Sequence, residues 1–266
     1  MTPVTVSRGN SPIILGLPHA GTYVPPDIGA NLNANGTALA DTDWHIDRLY
    51  ADLLPDATTV RAKFHRYVID ANRDPDGASL YPGQNTTALV PLTNFGGQDI
   101  WNTPPTDADI AGRRTAFHAP YHAAIRAEIT RVRDLHGHAI LFDCHSIRSR
   151  ISYLFDGTLP DFNIGTDQGK TCAPRIERAV HEICRNAQGF STVLNGRFKG
   201  GWTTRHYGRP NQNVHAIQLE LAQSTYLATQ SAPWAYDETK AARLRPHLAH
   251  ILSTLATLVP IAGAPQ

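Results

Sequence analysis

The sequence predicts a single α/β domain, spanning residues 1–266, with a mixed central sheet and helices on both of its faces. Three observations lead there. Short apolar runs alternate with stretches of helical period, polar clusters follow or occupy the ends of those runs, and no repeat, low-complexity tract or linker divides the chain.

The elements follow in order. Ile13-Ile14-Leu15-Gly16-Leu17 is an apolar run stopped by Pro18-His19-Ala20-Gly21, the pattern of a buried strand delivering a loop. Asp41 to Leu54 carries Trp44, Leu49, Leu53 and Leu54 at helical spacing behind the capping residues Asp41, Thr42 and Asp43, which predicts a helix. Val60 to Phe64 and Tyr67-Val68-Ile69 read as strands, the second entering Asp70-Ala71-Asn72-Arg73 and the turn Asp74-Pro75-Asp76-Gly77. Residues 78 to 104 are rich in Gly, Pro, Asn and Thr without a period, so a long loop is expected there, a candidate lid or wall. Ile110, Phe117, Tyr121, Ile125, Ile129 and Val132 keep a helical period up to Gly137, with Pro120 expected to kink or split the helix. Ala139 to Phe142 predicts a strand, Ile176, Val180 and Ile183 a helix, and Val214 to Leu221 another strand. Leu244, Leu248, Ile251, Leu255 and Leu258 predict a last helix with Pro246 inside it. Sheets of this kind bind ligands beyond the carboxyl ends of their strands.

Composition narrows the function. The chain is 41% hydrophobic and 18% charged, enough apolar surface to offset the entropy of ordering. Its 24 basic and 23 acidic residues nearly cancel, so no overall field draws it to nucleic acid or to an anionic membrane, and a small-molecule substrate is expected. Cys144, Cys172 and Cys184 form no CxxC pair and no even framework, which fits a reducing cytoplasm better than a disulfide-stapled secreted domain. The first apolar run begins only at Pro12 and no run approaches membrane-spanning length, so an untargeted, soluble protein is expected.

Five groups of residues carry chemistry. His19 and His145 stand at predicted strand ends, and Asp143, two residues before His145, can either orient an imidazole or cap the next turn. Asp43 and Asp47 lie four apart, which on a helix sets two like charges on one face. A bound cation would compensate them, and so would Arg48 or the dipole at the helix N-terminus. Glu220 interrupts a strand apolar on both faces, where burial raises a carboxyl pKa toward neutrality and suits a general base. Asn72, Arg73, Arg197, Lys199 and Arg205 sit in turn or Gly-rich sequence, and arginine forks there point to an acidic substrate. Cys144 and Ser146 flank His145 without a nucleophile elbow, and neighbours on a strand face opposite ways, which argues against a Ser or Cys hydrolase.

Together the stretches PHAGTYVPP, LADTDWHIDRLY, RYVIDANRD, LYPGQNTTALVP, LFDCHSI, LFDGTLPDFNIGT, LNGRFKGGWTTRHYGRP and HAIQLELAQSTY, from about Pro18 to Tyr226, resemble the N-formylglutamate amidohydrolase family. These are the deformylases of bacterial histidine degradation. That family is distantly similar to zinc carboxypeptidases, desuccinylases and aspartoacylases, so the resemblance implies the phosphorylase/hydrolase-like zinc carboxypeptidase fold. It implies one zinc ion per chain, with His19 and His145 matching the two histidine ligands. The usual carboxypeptidase Glu three residues after the first His is replaced here by Thr22, so the acidic ligand comes from the Asp43 and Asp47 block, with Asp43 favoured. The substrate-holding Asn-Arg pair falls on Asn72 and Arg73, and the catalytic Glu on Glu220.

The activity implied is hydrolysis of N-formyl-L-glutamate, with Glu220 taking a proton from water and returning it to the departing nitrogen. The two substrate carboxylates are expected to meet Arg73 and Arg205, with Lys199 and Arg197 as alternatives. A deacylase or carboxypeptidase acting on another acyl group is the nearest rival, and a non-catalytic module binding an acidic metabolite is the rival of another class.

Overall fold

The computed structural model describes residues 2–78 and 85–258, and the predicted strand Ile13–Leu17 is buried along its whole length within it. It becomes the second of seven strands: β1 (Val4–Ser7), β2 (Ile13–Leu17), β3 (Thr58–Ala62), β4 (Ala139–Ile147), β5 (Phe162–Gly165), β6 (Thr192–Leu194) and β7 (Val214–Ala222). They form one sheet in the order β1-β3-β2-β4-β7-β5-β6. The centre is parallel, β3 to β2 to β4 to β7, while β1 on β3 and β5 on β7 are antiparallel, so the sheet is mixed as expected. The helices are α1 (Pro26–Gly29), α2 (Ala34–Thr37), α3 (Ile46–Tyr50), α4 (Asp107–Arg113), α5 (Ala119–His136), α6 (Pro174–Asn186), α7 (Trp202–Tyr207) and α8 (Glu238–Thr257). No helix among the described residues is long and apolar enough to cross a membrane.

Side-chain alternation divides the core in two. Ile13, Leu15, Ile140, Phe142, Ile217 and Leu219 face α3, α6 and α8, while Ile14, Leu141 and Ala216 join Tyr121, Ile125 and Val132 of α5 on the other face. A strand sends successive residues to opposite faces, so the apolar series Ala139, Leu141 continues on the α5 face into Asp143 and His145. On β7 the series Val214, Ala216 continues in the same way into Gln218 and Glu220. The sheet's apolar interior thus turns polar on one face, toward the carboxyl ends of its central strands.

Several expectations are corrected. The helix expected over Asp41 to Leu54 is only the short α3, because His45 adopts a left-handed φ of 59° just before it and leaves Asp43 outside. Asp43 and Asp47 therefore share no helical face. Tyr67-Val68-Ile69 is fully buried yet forms a turn rather than a strand, its apolar character serving the core beyond the end of β3. The strand expected to end at Phe142 continues to Ile147, so Asp143 and His145 lie within β4. The helix split expected at Pro120 is a π turn, Arg114–His118, immediately ahead of it. The short strands β1, β5 and β6 and the helix α7 carry too few periodic residues to be read from sequence. Of the expected loop 78 to 104, residues 79–84 lie outside the described residues, including the start of the LYPGQNTTALVP stretch; residues 85–104 contain no strand or helix.

Candidate active site

The polar face formed by β4 and β7 meets two loops. His19 follows β2 by two residues, and the chain there runs against the residues after β3, with Tyr23 N donating to Lys63 O at 3.0 Å. Gly21 permits this approach, since a Cβ at that position would lie 2.3 Å from the Lys63 carbonyl carbon. Asp43 is tied in through its backbone, whose N donates to His19 O at 3.1 Å. His145 and Glu220 are direct register partners on β4 and β7, so parallel pairing alone sets them side by side.

Three ligand-type side chains converge. The Nδ1 atoms of His19 and His145 are 3.2 Å apart. Asp43 Oδ2 lies 3.8 Å from the first and 3.4 Å from the second. All three side chains are buried, and their donor atoms fit within 4.8 Å. Each imidazole is held from behind: His19 Nε2 by Asp70 Oδ1 at 2.7 Å, and His145 Nε2 by Asp143 Oδ1 at 3.2 Å. Asp143 is itself fixed by the Thr204 hydroxyl, which donates to its Oδ2 at 3.0 Å. Carboxylates behind the ligating histidines set ring orientation and tautomer at metal sites.

The cluster fits a four-coordinate cation. Bonds of about 2.0–2.1 Å to nitrogen and oxygen arranged tetrahedrally separate neighbouring donors by about 3.3 Å, close to the three spacings here. Two imidazole nitrogens facing each other across a buried space also need something positive between them. In the protein alone a proton on His145 fills that need. Burial would lower its pKa, but Asp143, Asp43 and Glu220 outweigh burial and hold it well above the ordinary imidazole value. His19, by contrast, is lowered to about 4 by burial and by Arg66 and stays neutral. Burial opposes ionisation of Asp43 and Asp70 as well, yet their histidine and arginine neighbours keep both below the usual carboxylate range. A divalent cation would displace the His145 proton, so its binding is coupled to proton release.

The cavity beside the cluster is lined by His19, His145 and Glu220 together with Arg66, Asn72, Arg73 and Arg197. Burial pushes the Glu220 carboxyl up to about 7, against the pull of His145, so it can exchange a proton near neutrality. Gln218 Nε2 donates to Glu220 Oε2 at 3.1 Å and orients it. Asn72 Nδ2 lies 3.2 Å from His145 Nε2, and Asn72 Oδ1 accepts from Thr203 N at 2.8 Å. Arg73 Nε donates to Thr87 O at 2.9 Å, and Arg197 Nη2 to Asn85 O at 3.0 Å, so two of the lining arginines grip the segment that borders the cavity.

The candidate residues therefore separate. His19, Asn72, Arg73, His145 and Glu220 line one cavity, with Asp43 buried against the two histidines. Asp47 lies away from it and pairs with Arg61 at the surface. Lys199 and Arg205 are not among the lining residues, and Arg205 pairs with Asp167 at 3.3 Å, while Arg197, one of the alternatives, lines the cavity. Arg66 and Asp70 were not singled out from sequence. The Arg66 guanidinium donates to Asp43 Oδ1 at 3.1 Å and lies 4.8 Å over the Phe95 ring, so it joins the ligand carboxylate to the cavity wall. Their signal was an ionised pair four residues apart bracketing a wholly apolar Tyr67-Val68-Ile69.

The chain matches known proteins over most of its length. A family model described as N-formylglutamate amidohydrolase matches residues 11–227. The chain is 44% identical over 256 residues to the N-formylglutamate deformylase of Pseudomonas aeruginosa, covering 95% of each protein. It is 42% identical over 252 residues to that of Pseudomonas putida, covering 93% of each. Among solved structures, N-formylglutamate amidohydrolase from Ralstonia eutropha JMP134 superposes with a TM-score of 0.80 at 25% identity, covering 96% of this chain and 97% of that one. A protein from Agrobacterium tumefaciens shares the fold with a TM-score of 0.72 at 19% identity, covering 96% and 94%.

Proposed function

The chain belongs to the N-formylglutamate amidohydrolase family, and on that premise we propose that it hydrolyses N-formyl-L-glutamate to formate and L-glutamate with one zinc ion held by His19, Asp43 and His145. This reaction would be the last step of a route of histidine degradation. The observation that carries the reading is the convergence, at one cavity, of a three-donor cluster, a carboxyl poised near neutrality and three arginines.

When bound, the zinc would act as a Lewis acid on the formyl carbonyl and make water more acidic. The protein's own groups do the rest. Glu220 accepts a proton as water oxygen bonds to the formyl carbon, then gives it to the glutamate nitrogen as the C–N bond breaks. Arg73 and Arg197, which line the cavity, would meet the two substrate carboxylates, and a planar fork suits each of them. Asp70 and Asp143 hold the ligating imidazoles in register, and Arg66 donates to Asp43 Oδ1 and fixes that carboxylate.

Formate release measured with N-formyl-L-glutamate and N-formyl-L-glutamine tests this reading. A site built for two carboxylates leaves a cation unpaired when one is replaced by an amide, so kcat/KM should favour the glutamate compound by about tenfold or more. No release from N-formyl-L-glutamate, or equal kcat/KM for the two, would overturn it.

A further inference from the structure

Behind the Asn72-Arg73 segment, on the side away from the cavity, lies a cluster of rings that the reaction does not use. His118 closes the π turn and His122 follows one helical turn later, their ring centroids 4.3 Å apart. Both are buried, and neither lines the cavity. His122 Nε2 is 2.8 Å from Ala71 O and His118 Nε2 is 3.0 Å from Arg73 O. A carbonyl only accepts, so both Nε2 atoms carry hydrogen and donate. His122 Nδ1 is then an acceptor, and the Tyr207 hydroxyl stands 3.0 Å from it, which fixes the tautomer.

The two carbonyls frame Asn72 and Arg73. α7 joins the histidines to the same segment: Thr203 N donates to Asn72 Oδ1, and Trp202 packs its ring edge-on to His122 at 4.8 Å. Burial lowers His118 below the ordinary imidazole value and brings His122 to about 3, so both remain neutral donors around neutral pH. π turns inside α-helices recur at functional sites. Here the turn ends at His118 and sets it over the segment, one residue before the helix resumes at Ala119.

We propose that His118 and His122 are positioning residues, which fix Asn72 and Arg73 in the active site by holding the backbone carbonyls of Ala71 and Arg73 from outside the cavity. The inference rests on the reading of Asn72 and Arg73 as the substrate-holding pair. It assigns the histidines no contact with substrate or metal. Their work is to remove backbone freedom from a segment whose side chains must meet a carboxylate within a narrow geometry.

The test compares His118→Leu and His122→Leu with His118→Gln and His122→Gln, since a glutamine amide can still donate to a carbonyl. Each Leu variant should raise KM for N-formyl-L-glutamate about tenfold while kcat stays within about threefold, and each Gln variant should recover most of the loss. Metal content should not change. Hydrogen exchange over residues 66–75 should quicken in the Leu variants and return toward wild type in the Gln variants. Tyr207→Phe, which removes only the hydroxyl beside His122, serves as a milder substitute should a Leu variant fail to fold, and should shift KM in the same direction. Unchanged KM and exchange, a fall in kcat at constant KM, or Gln variants no better than Leu would overturn the proposal. A wild-type protein that releases no formate would instead overturn the proposed function, and hydrogen exchange would still decide the positioning role.

Discussion

The site has two halves built in different ways. On β4 and β7, alternation and parallel register alone turn Asp143, His145, Gln218 and Glu220 to one face. On the loops after β2 and β3, His19, Asp43, Arg66 and Asp70 are aimed by tertiary bonds, such as Arg66 Nη2 to Asp43 Oδ1 at 3.1 Å and His19 Nε2 to Asp70 Oδ1 at 2.7 Å. A strand position is fixed by a ladder that survives loss of its side chain. A loop position is fixed by the side chains themselves, so removing one disturbs several.

Three substitutions sharpen that contrast, taken from the largest expected effect. His145→Ala removes a strand-borne ligand while leaving the β4 and β7 ladder intact; metal occupancy and formate release should both fall to background, and the melting temperature of the metal-free protein should fall, because the buried Asp43 and Asp143 lose the imidazole between them. Asp70→Asn removes a charge from the loop-borne half that holds His19 and faces Arg66 and Arg73. Metal affinity or activity should drop roughly 10–100-fold, the usual cost of losing the group behind a ligating histidine. Like His145→Ala, it should lower the melting temperature of the metal-free protein, because loss of a buried carboxylate leaves two arginines without their partner; only Asp70→Asn should also quicken hydrogen exchange in the loops after β2 and β3, and equal exchange in the two variants would remove the distinction between the halves. Asp47→Ala, four residues from Asp43, breaks only a surface pair with Arg61. It should leave kcat/KM and metal content as they are and shift stability by less than about 1 kcal/mol.

The same contrast explains what was legible in the sequence. Glu220 could be read because a carboxylate inside a strand apolar on both faces has few other uses, and His145 because it follows an apolar run with Asp143 two residues before it. His19 could be read from the apolar run that delivers it. Asp43 and Asp47 could not be separated, because the choice turns on the left-handed residue His45, and nothing in residue type marks it. Arg66 and Asp70 were hidden by the apolar run between them, which resembled a strand and is a buried turn. Lys199 and Arg205 drew attention through the glycines beside them, on the premise that glycine admits a ligand. Those glycines admit protein as well: a Cβ on Gly201 would lie 2.2 Å from Asn72 Nδ2, and Gly200 has a φ of 103°. Their freedom lets α7 reach Asn72, which is a packing requirement that local sequence does not distinguish from a binding one.

The central claim is that one cavity combines a metal cluster with a separate proton carrier, and Glu220→Gln in the zinc-loaded protein tests it most directly. Glutamine keeps the volume and can still meet Gln218, but it cannot take a proton from water. With zinc content and melting temperature at wild-type values, kcat for formate release from N-formyl-L-glutamate should fall by roughly 10²–10⁴. Wild-type kcat in that variant, with zinc bound, would contradict the account.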